Sequence, residues 1–372
     1  MIYWDNNATT PLDPEVYAAM EPFLKERFFN PSAGYGCARS VREAVEEARA
    51  DVAALLGAFP SEIVFTSGGT EATNMAFRQM AGERNGGIGV LSTDHDASLK
   101  TAVALGQGRV CPVDREGRAV PEEWEAMCAA GVSGVSFAWA NNETGALQEA
   151  AALCSAARRH GASVHLDMVQ CAGKIPVDLH GMEVDYASVS AHKFHGPKGA
   201  GCLYRRSGAG FSPLLFGGGQ EHGLRSGTEN VPGIVGMGKA VELAFCNMRR
   251  RIRREMMLRN YLIEKIMHEI KGVRLNGHPT NRLPGNVNVS FSGVDGASLL
   301  ILLYEDGICA SGGSACNTGE ERVSYVIGAL GVPDEYAAGT VRMTLSGETT
   351  RKEIDRAVEA LKQNLRKLRD EK

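Results

Sequence analysis

A lysine lies in the run Ser188-Val189-Ser190-Ala191-His192-Lys193-Phe194-His195-Gly196-Pro197-Lys198-Gly199, just after a short apolar stretch. Placed after a buried strand, Lys193 can form a Schiff base if burial and nearby positive charge keep its amine neutral. An ordinary surface lysine would be written with the same letters. His192 and His195 have the spacing of a metal pair, but no third ligand accompanies them, so no metal site is expected.

A second nucleophile is Cys316, in Gly307-Ile308-Cys309-Ala310-Ser311-Gly312-Gly313-Ser314-Ala315-Cys316-Asn317-Thr318-Gly319. Glycines on both sides suit a thiol that must reach a substrate and then carry sulfur away. Its reactivity would depend on thiolate character rather than exposure alone. A buried, inert thiol in a small-residue turn describes Cys309 better than Cys316.

Two further runs can hold a charged cofactor. In Val164-His165-Leu166-Asp167-Met168-Val169-Gln170, an acid stands at the end of an apolar strand, where ligands of open α/β sheets collect. A carboxylate there can pair with a protonated pyridine nitrogen, and Gln170 can donate to a ring oxygen. A plain helix cap by Asp167 is the competing reading. In Thr66-Ser67-Gly68-Gly69-Thr70-Glu71-Ala72-Thr73-Asn74, free amides at a helix start, with the Thr70 hydroxyl, suit a phosphate. By itself this run fits a glycine turn with a threonine cap equally well.

The elements that must position these groups alternate. Ile63–Phe65, Ile88–Leu91, Val132–Trp139, Val164–Leu166 and Tyr186–Val189 read as buried strands between helical stretches. That order predicts a mostly parallel sheet with helices on both faces. Upstream, helices are expected over Pro14–Phe29 and over Ser40–Leu56, the latter capped by Ser40 with Glu43 three residues on. A long helix is expected from about Ile234 to Ile270; its cluster Arg249, Arg250, Arg251, Arg253 and Arg254 reads as a solvated face or connector. The last third reads as a smaller α+β unit ending in a charged helix from Thr350.

Bulk properties narrow the classes. A chain of 372 residues is long for one simple core, so two domains or one large α/β unit are expected. A net charge of −4 gives no electrostatic case for nucleic acid or an anionic membrane. The start, Met1-Ile2-Tyr3-Trp4-Asp5-Asn6-Asn7, lacks the pattern of a secretory signal, and no apolar run is long enough to span a bilayer. The nine cysteines form no CxxC pair, which points to a reducing cytoplasm.

Taken together, the four runs resemble the NifS/IscS-type cysteine desulfurases, fold-type I pyridoxal-phosphate enzymes of the class V aminotransferase family. The resemblance extends from Tyr3-Trp4-Asp5-Asn6-Asn7-Ala8-Thr9-Thr10-Pro11 to about Thr350. It implies a mainly parallel seven-stranded sheet in a large domain (15–250) and a smaller α+β domain (1–14 with 251–372) carrying the cysteine. It also implies a homodimer with the site at its interface.

The roles implied by the resemblance are these. Lys193 carries pyridoxal 5'-phosphate and shuttles protons, Asp167 pairs with the ring nitrogen, and Gln170 bonds the phenolic oxygen. His95, in Thr93-Asp94-His95-Asp96, stacks on the ring and, as a catalytic residue, assists proton transfer. Gly69, Thr70, Ser190 and His192 hold the phosphate, with Thr228 of Arg225-Ser226-Gly227-Thr228-Glu229-Asn230 reaching in from the neighbouring subunit. Asn142 and Arg342 bind the substrate carboxylate, and Cys316 takes sulfur from L-cysteine, leaving alanine. A sulfur-acceptor protein, for Fe–S assembly or thiolation, would receive it. Asn7, Asp94, Asn317-Thr318, Val323 and Gly347-Glu348 depart from the family's usual letters, yet every group the chemistry needs is present. Another lyase or an aminotransferase on this scaffold would leave Cys316 without a role. A silent scaffold would be expected to lack Lys193 or Cys316.

Overall fold

The computed structural model describes residues 1–83, 86–106, 108–312 and 323–370. The chain opens with β1 (Ile2–Tyr3), α1 (Pro14–Lys25) and α2 (Gly36–Leu56), then β2 (Ile63–Thr66), α3 (Gly69–Glu83), β3 (Ile88–Leu91), α4 (Asp96–Ala104) and β4 (Gly108–Cys111). It continues through α5 (Pro121–Ala129), β5 (Gly134–Ala138), α6 (Ala150–Arg159), β6 (Ser163–Asp167), β7 (Tyr186–Ser190), β8 (Gly201–Arg205) and α7 (Val231–Glu269). The remainder is β9 (Val273–Leu275), β10 (Asn286–Phe291), α8 (Gly296–Glu305), β11 (Ile308–Cys309), α9 (Tyr325–Ala329), α10 (Asp334–Ala337), β12 (Thr340–Thr344) and α11 (Arg351–Asp370).

Among the described residues, seven strands form one sheet in the order β2-β8-β7-β6-β5-β3-β4. Neighbours from β7 to β4 run parallel, while β8 lies antiparallel to both β2 and β7. Only β8 is reversed, so the expected mainly parallel sheet is present. Alternate residues face two cores. Phe65, Leu91, Phe137, Leu166 and Val189 pack against α2, α5, α6 and α7, while Val64, Val90, Tyr186 and Leu203 pack against α3. Coverage of both faces is why these strands read as continuous apolar runs. It also turns their C-terminal ends into an open rim on which polar side chains collect.

A second core joins the N-terminal residues Ile2 and Trp4 to Leu258, Leu262 and Ile266 of α7, Val287, Val289 and Phe291 of β10, and Ile354, Val358 and Leu361 of α11. It covers an antiparallel sheet of order β12-β10-β9 and a parallel β1-β11 pair. Helix α7 contributes to both cores, through Met237 and Val241 in one and Leu262 in the other. Its 39 residues extend about 58 Å at the helical rise.

Two expectations need correction. Ser40 does not cap a helix: α2 begins at Gly36 after Tyr35, and the Ser40 hydroxyl donates to Cys37 O at 2.9 Å. Buried Ala38 continues the stripe set by Val41 and Val45, which draws the helix back past the serine. Glu43 pairs instead with Arg39 at 3.0 Å. Helix α1 stops at Lys25 rather than Phe29, and Phe28 and Phe29 stack on one another at 4.8 Å.

Candidate active site

The site is built on strand ends. Strand β6 delivers Asp167, which is 9% exposed, and β7 leads through Ser190 into a single turn, Ala191–Lys193, that presents Lys193. The N-terminal segment lies across this turn. Lys193 Nζ donates to Asn7 O at 2.7 Å and to Ala8 O at 2.8 Å, and Thr10 N donates to His192 O at 2.9 Å. Asp167 Oδ1 accepts from Val169 N at 2.9 Å, a local turn that aims the carboxyl along the rim. Burial pushes this carboxyl above the usual range, while His95 and Lys193 pull it back. A buried acid beside His95 and Lys193 is placed to pair with a protonated ring nitrogen.

His95 caps α4, with Nδ1 accepting from Ala97 N at 3.0 Å. The preceding Asp94 ties this corner to its neighbour: Oδ2 accepts from Leu91 N and Oδ1 from Ala138 N, each at 2.8 Å. Gln170 Nε2 donates to Asn7 O at 2.9 Å, so Gln170 shares an acceptor with Lys193.

A phosphate cradle lies alongside. Helix α3 starts at Gly69, leaving first-turn amides free for an anion. A Cβ on Gly69 would meet Val169 Cγ2 at 2.5 Å, so glycine permits the close approach of this turn to the Asp167 strand end. Ser190 Oγ lies 3.5 Å from the position of a Gly68 Cβ, which brings β7 to the same cradle. His192 Nδ1 lies 3.1 Å from Thr9 Oγ1, and burial beside Lys193 and Lys198 holds its ring down to about 4, hence neutral. Thr70 and Thr228 are exposed. Arg225, in the same loop as Thr228, is fixed to Glu71 at 2.8 Å.

On the opposite wall, Arg342 of β12 is 1% exposed. Its Nη2 donates to Asp5 Oδ1 at 2.7 Å and its Nη1 to Asn142 O at 3.1 Å, while Nε is buried without a hydrogen-bond partner among the described residues. Asn142 is set by its neighbour: Asn141 Oδ1 accepts from the amides of Glu143 and Thr144, and Asn141 Nδ2 donates to Thr93 O, each at 2.9 Å. Arg342 also exchanges backbone bonds with Ser311, at 3.1 and 2.6 Å. Cys316 lies outside the described residues, which end on this side at Gly312.

The structure thus brings Lys193, Asp167, Gln170, Ser190, His192 and Gly69 to one rim, and Asn142 to Arg342. A lysine, a buried carboxyl and an amide-lined cradle fit pyridoxal phosphate. The orphaned Arg342 Nε adds a place for a carboxylate. Sequence reading missed Asn7, the common acceptor of Lys193 and Gln170, because its carbonyl oxygen carries no side-chain signal. It also missed Lys174, whose Nζ lies 2.8 Å from Gln170 Oε1. Six and seven residues after the end of β6, a Gly-Lys pair looks like a surface turn. Among the described residues, no cluster of His, Cys, Asp or Glu could hold a metal ion.

The chain is similar to known proteins along nearly its whole length. A family model described as Aminotransferase class-V matches residues 2–357. A protein of Dictyoglomus turgidum named cysteine desulfurase IscS is 42% identical over 375 residues, covering 99% of this chain and 95% of that protein. A solved structure described as a NifS-like protein superposes with a TM-score of 0.91 at 36% identity, covering 99% of this chain and 100% of that one. Another, described as SspA in complex with cysteine, gives 0.82 at 31% identity over 94% of this chain and 100% of that one. With the match running across nearly its whole length and the lysine, carboxyl and phosphate cradle in one rim, this chain belongs to the class V aminotransferase family.

Proposed function

We propose that this chain is a pyridoxal-phosphate-dependent cysteine desulfurase that moves sulfur from L-cysteine to Cys316. The observation that carries the reading is the meeting of two halves. Lys193 and Asp167 stand on one wall, while Asn142 and the orphaned Arg342 Nε stand on the other, beside the segment that leads to Cys316. Gly69, Thr70, Ser190 and His192 would hold the phosphate, Asp167 the ring nitrogen and Gln170 the phenolic oxygen, with His95 stacked on the ring.

When bound there, pyridoxal phosphate supplies an electron sink for charge developing at the substrate α-carbon. Arg342 and Asn142 orient the substrate by its carboxylate, and a planar guanidinium fixes both oxygens. Lys193 Nζ would take the α-proton of the substrate and return it. The Cys316 thiolate then attacks the substrate sulfur. A new S–S bond forms as the Cβ–S bond breaks, its electron pair stays with the carbon fragment, and protonation gives alanine. Cys316 is left as a persulfide.

We assign 15–250 and 1–14 with 251–372 as the two domains, supported by the two cores on either end of α7. Exposed Thr228 is assigned to the neighbouring subunit's phosphate cradle, which makes the working form a homodimer. A sulfur-acceptor protein of Fe–S assembly or thiolation completes the cycle in a reducing cytoplasm. The free state of every described cysteine supports that compartment. The test is mass spectrometry of the cofactor-loaded protein after brief exposure to L-cysteine without reductant. A 32 Da addition (one sulfur) on the peptide carrying Cys316, absent from Lys193→Ala, is expected. Sulfur found only on other cysteines would overturn the assignment.

A further inference from the structure

Behind Lys193 stands a second lysine to which the chemistry above gives no part. Lys174 Nζ donates to Gln170 Oε1 at 2.8 Å and to Asn7 Oδ1 at 3.1 Å. Asn7 O in turn accepts from Lys193 Nζ at 2.7 Å and from Gln170 Nε2 at 2.9 Å. The two lysines therefore hang on one residue. Asn7 is itself fixed on its other sides: Nδ2 donates to Asn142 O at 3.1 Å and its amide to Thr344 Oγ1 at 3.0 Å. Both lysines, Asn7, Arg251 and Glu255 line a cavity of about 30 Å³, room for a single water.

We propose that Lys174 is a positioning residue for Lys193: held by Asn7 and Gln170, its ammonium, when charged, disfavours a proton on the Lys193 nitrogen. Like charges close together at a partly buried site disfavour a second proton. Helix α7 faces the pair with Arg251, which donates to Gly173 O, and Glu255; Cys171, His192, His195 and Asp167 complete the charged or titratable surroundings. Burial, then Lys193, draws the Lys174 ammonium down to about 7, while burial pushes Glu255 up to about 7.

The proposal rests on Lys193 carrying the cofactor, and its test separates the two ideas. The visible band of the cofactor-loaded protein is titrated with pH for the parent, Lys174→Met, Lys174→Arg and Asn7→Ala. Removing the cation stabilises the protonated form, so the midpoint in Lys174→Met should rise by about one pH unit. Lys174→Arg should stay close to the parent, and Asn7→Ala should move the same way as methionine but less. If the methionine variant does not fold, Lys174→Gln removes the charge while keeping polar contacts and reads the same shift. Superimposed midpoints for the parent and the uncharged variant would overturn the proposal while leaving Lys193 in place. A parent that binds cofactor with no lysine-dependent band would overturn the reading of Lys193, and this proposal with it.

Discussion

Asp94 and Asp167 are both buried acids just beyond or at the ends of strands of one sheet, 1% and 9% exposed, and they do different work. Asp94 spends both oxygens on backbone amides, at 2.8 Å each, joining the end of β3 to the end of β5. Asp167 spends only Oδ1 on the backbone, at 2.9 Å, and its charge is felt by His95 and Lys193. Burial pushes Asp94 up to about 8, and Asp167 adds to that rise. Equal burial thus does not mean equal role. A carboxyl saturated by amides is a strut, and one left half-free at a rim is available to a ligand.

The contrast breaks most sharply at Asp167. Asp167→Asn keeps the shape but cannot hold a positive ring nitrogen, so kcat/KM for L-cysteine should fall by about 10²–10³-fold, with the melting temperature little changed. Steady-state kinetics beside thermal melts check this; unchanged turnover would remove Asp167 from the chemistry. Arg342→Lys follows. Losing a planar two-oxygen donor should raise KM for cysteine about 10-fold to 100-fold, with a smaller change in kcat. Asp94→Ala should show the opposite profile. Leaving the amides of Leu91 and Ala138 without their acceptor should cost about 2–4 kcal/mol of stability in denaturant titration, with less than about a tenfold loss in activity per folded molecule. A large activity loss at unchanged stability would contradict the strut.

A third group, on the same strand as Asp167, leaves catalysis alone and sets a pH dependence of stability. His165 is sealed between Ser136 Oγ at 2.8 Å and Ser188 Oγ at 2.7 Å, and burial lowers it from 6.5 to about 3. Its folded value lies below its unfolded value, so only the unfolded chain takes a proton between the two. The stability from His165 is therefore complete above about 6.5 and is lost as pH falls toward about 3, at up to about 1.4 kcal/mol per pH unit. In His165→Asn that share of the slope should disappear from stability measured against pH.

Much of this site was readable in advance because its parts are contiguous. Ser190, His192 and Lys193 end or follow one strand, Asp167 and Gln170 another, and Gly69 opens a helix, so strand–turn spacing brings them to a rim, while their separate roles came from the family resemblance. What could not be read travels through backbone or across distance. Asn7 acts on Lys193 through its carbonyl oxygen, and Arg342 meets Asp5 from the far end of the chain, at 2.7 Å. The reversed β8 was equally hidden, since Gly201–Arg205 has the same buried apolar letters as its parallel neighbours. Ser40 misled because a capping pattern is local, whereas burial of Ala38 is a tertiary fact.

The central claim is that sulfur leaves L-cysteine through Cys316 on a scaffold held by Lys193. Its most direct test is anaerobic incubation of the cofactor-loaded protein with L-cysteine and a thiol reductant, following alanine and sulfide together beside Cys316→Ala. Equal amounts of alanine and sulfide from the parent, with neither above background from the variant, are predicted. Matched products from Cys316→Ala at the parent's rate, or a parent that binds cofactor yet releases neither, would contradict the account.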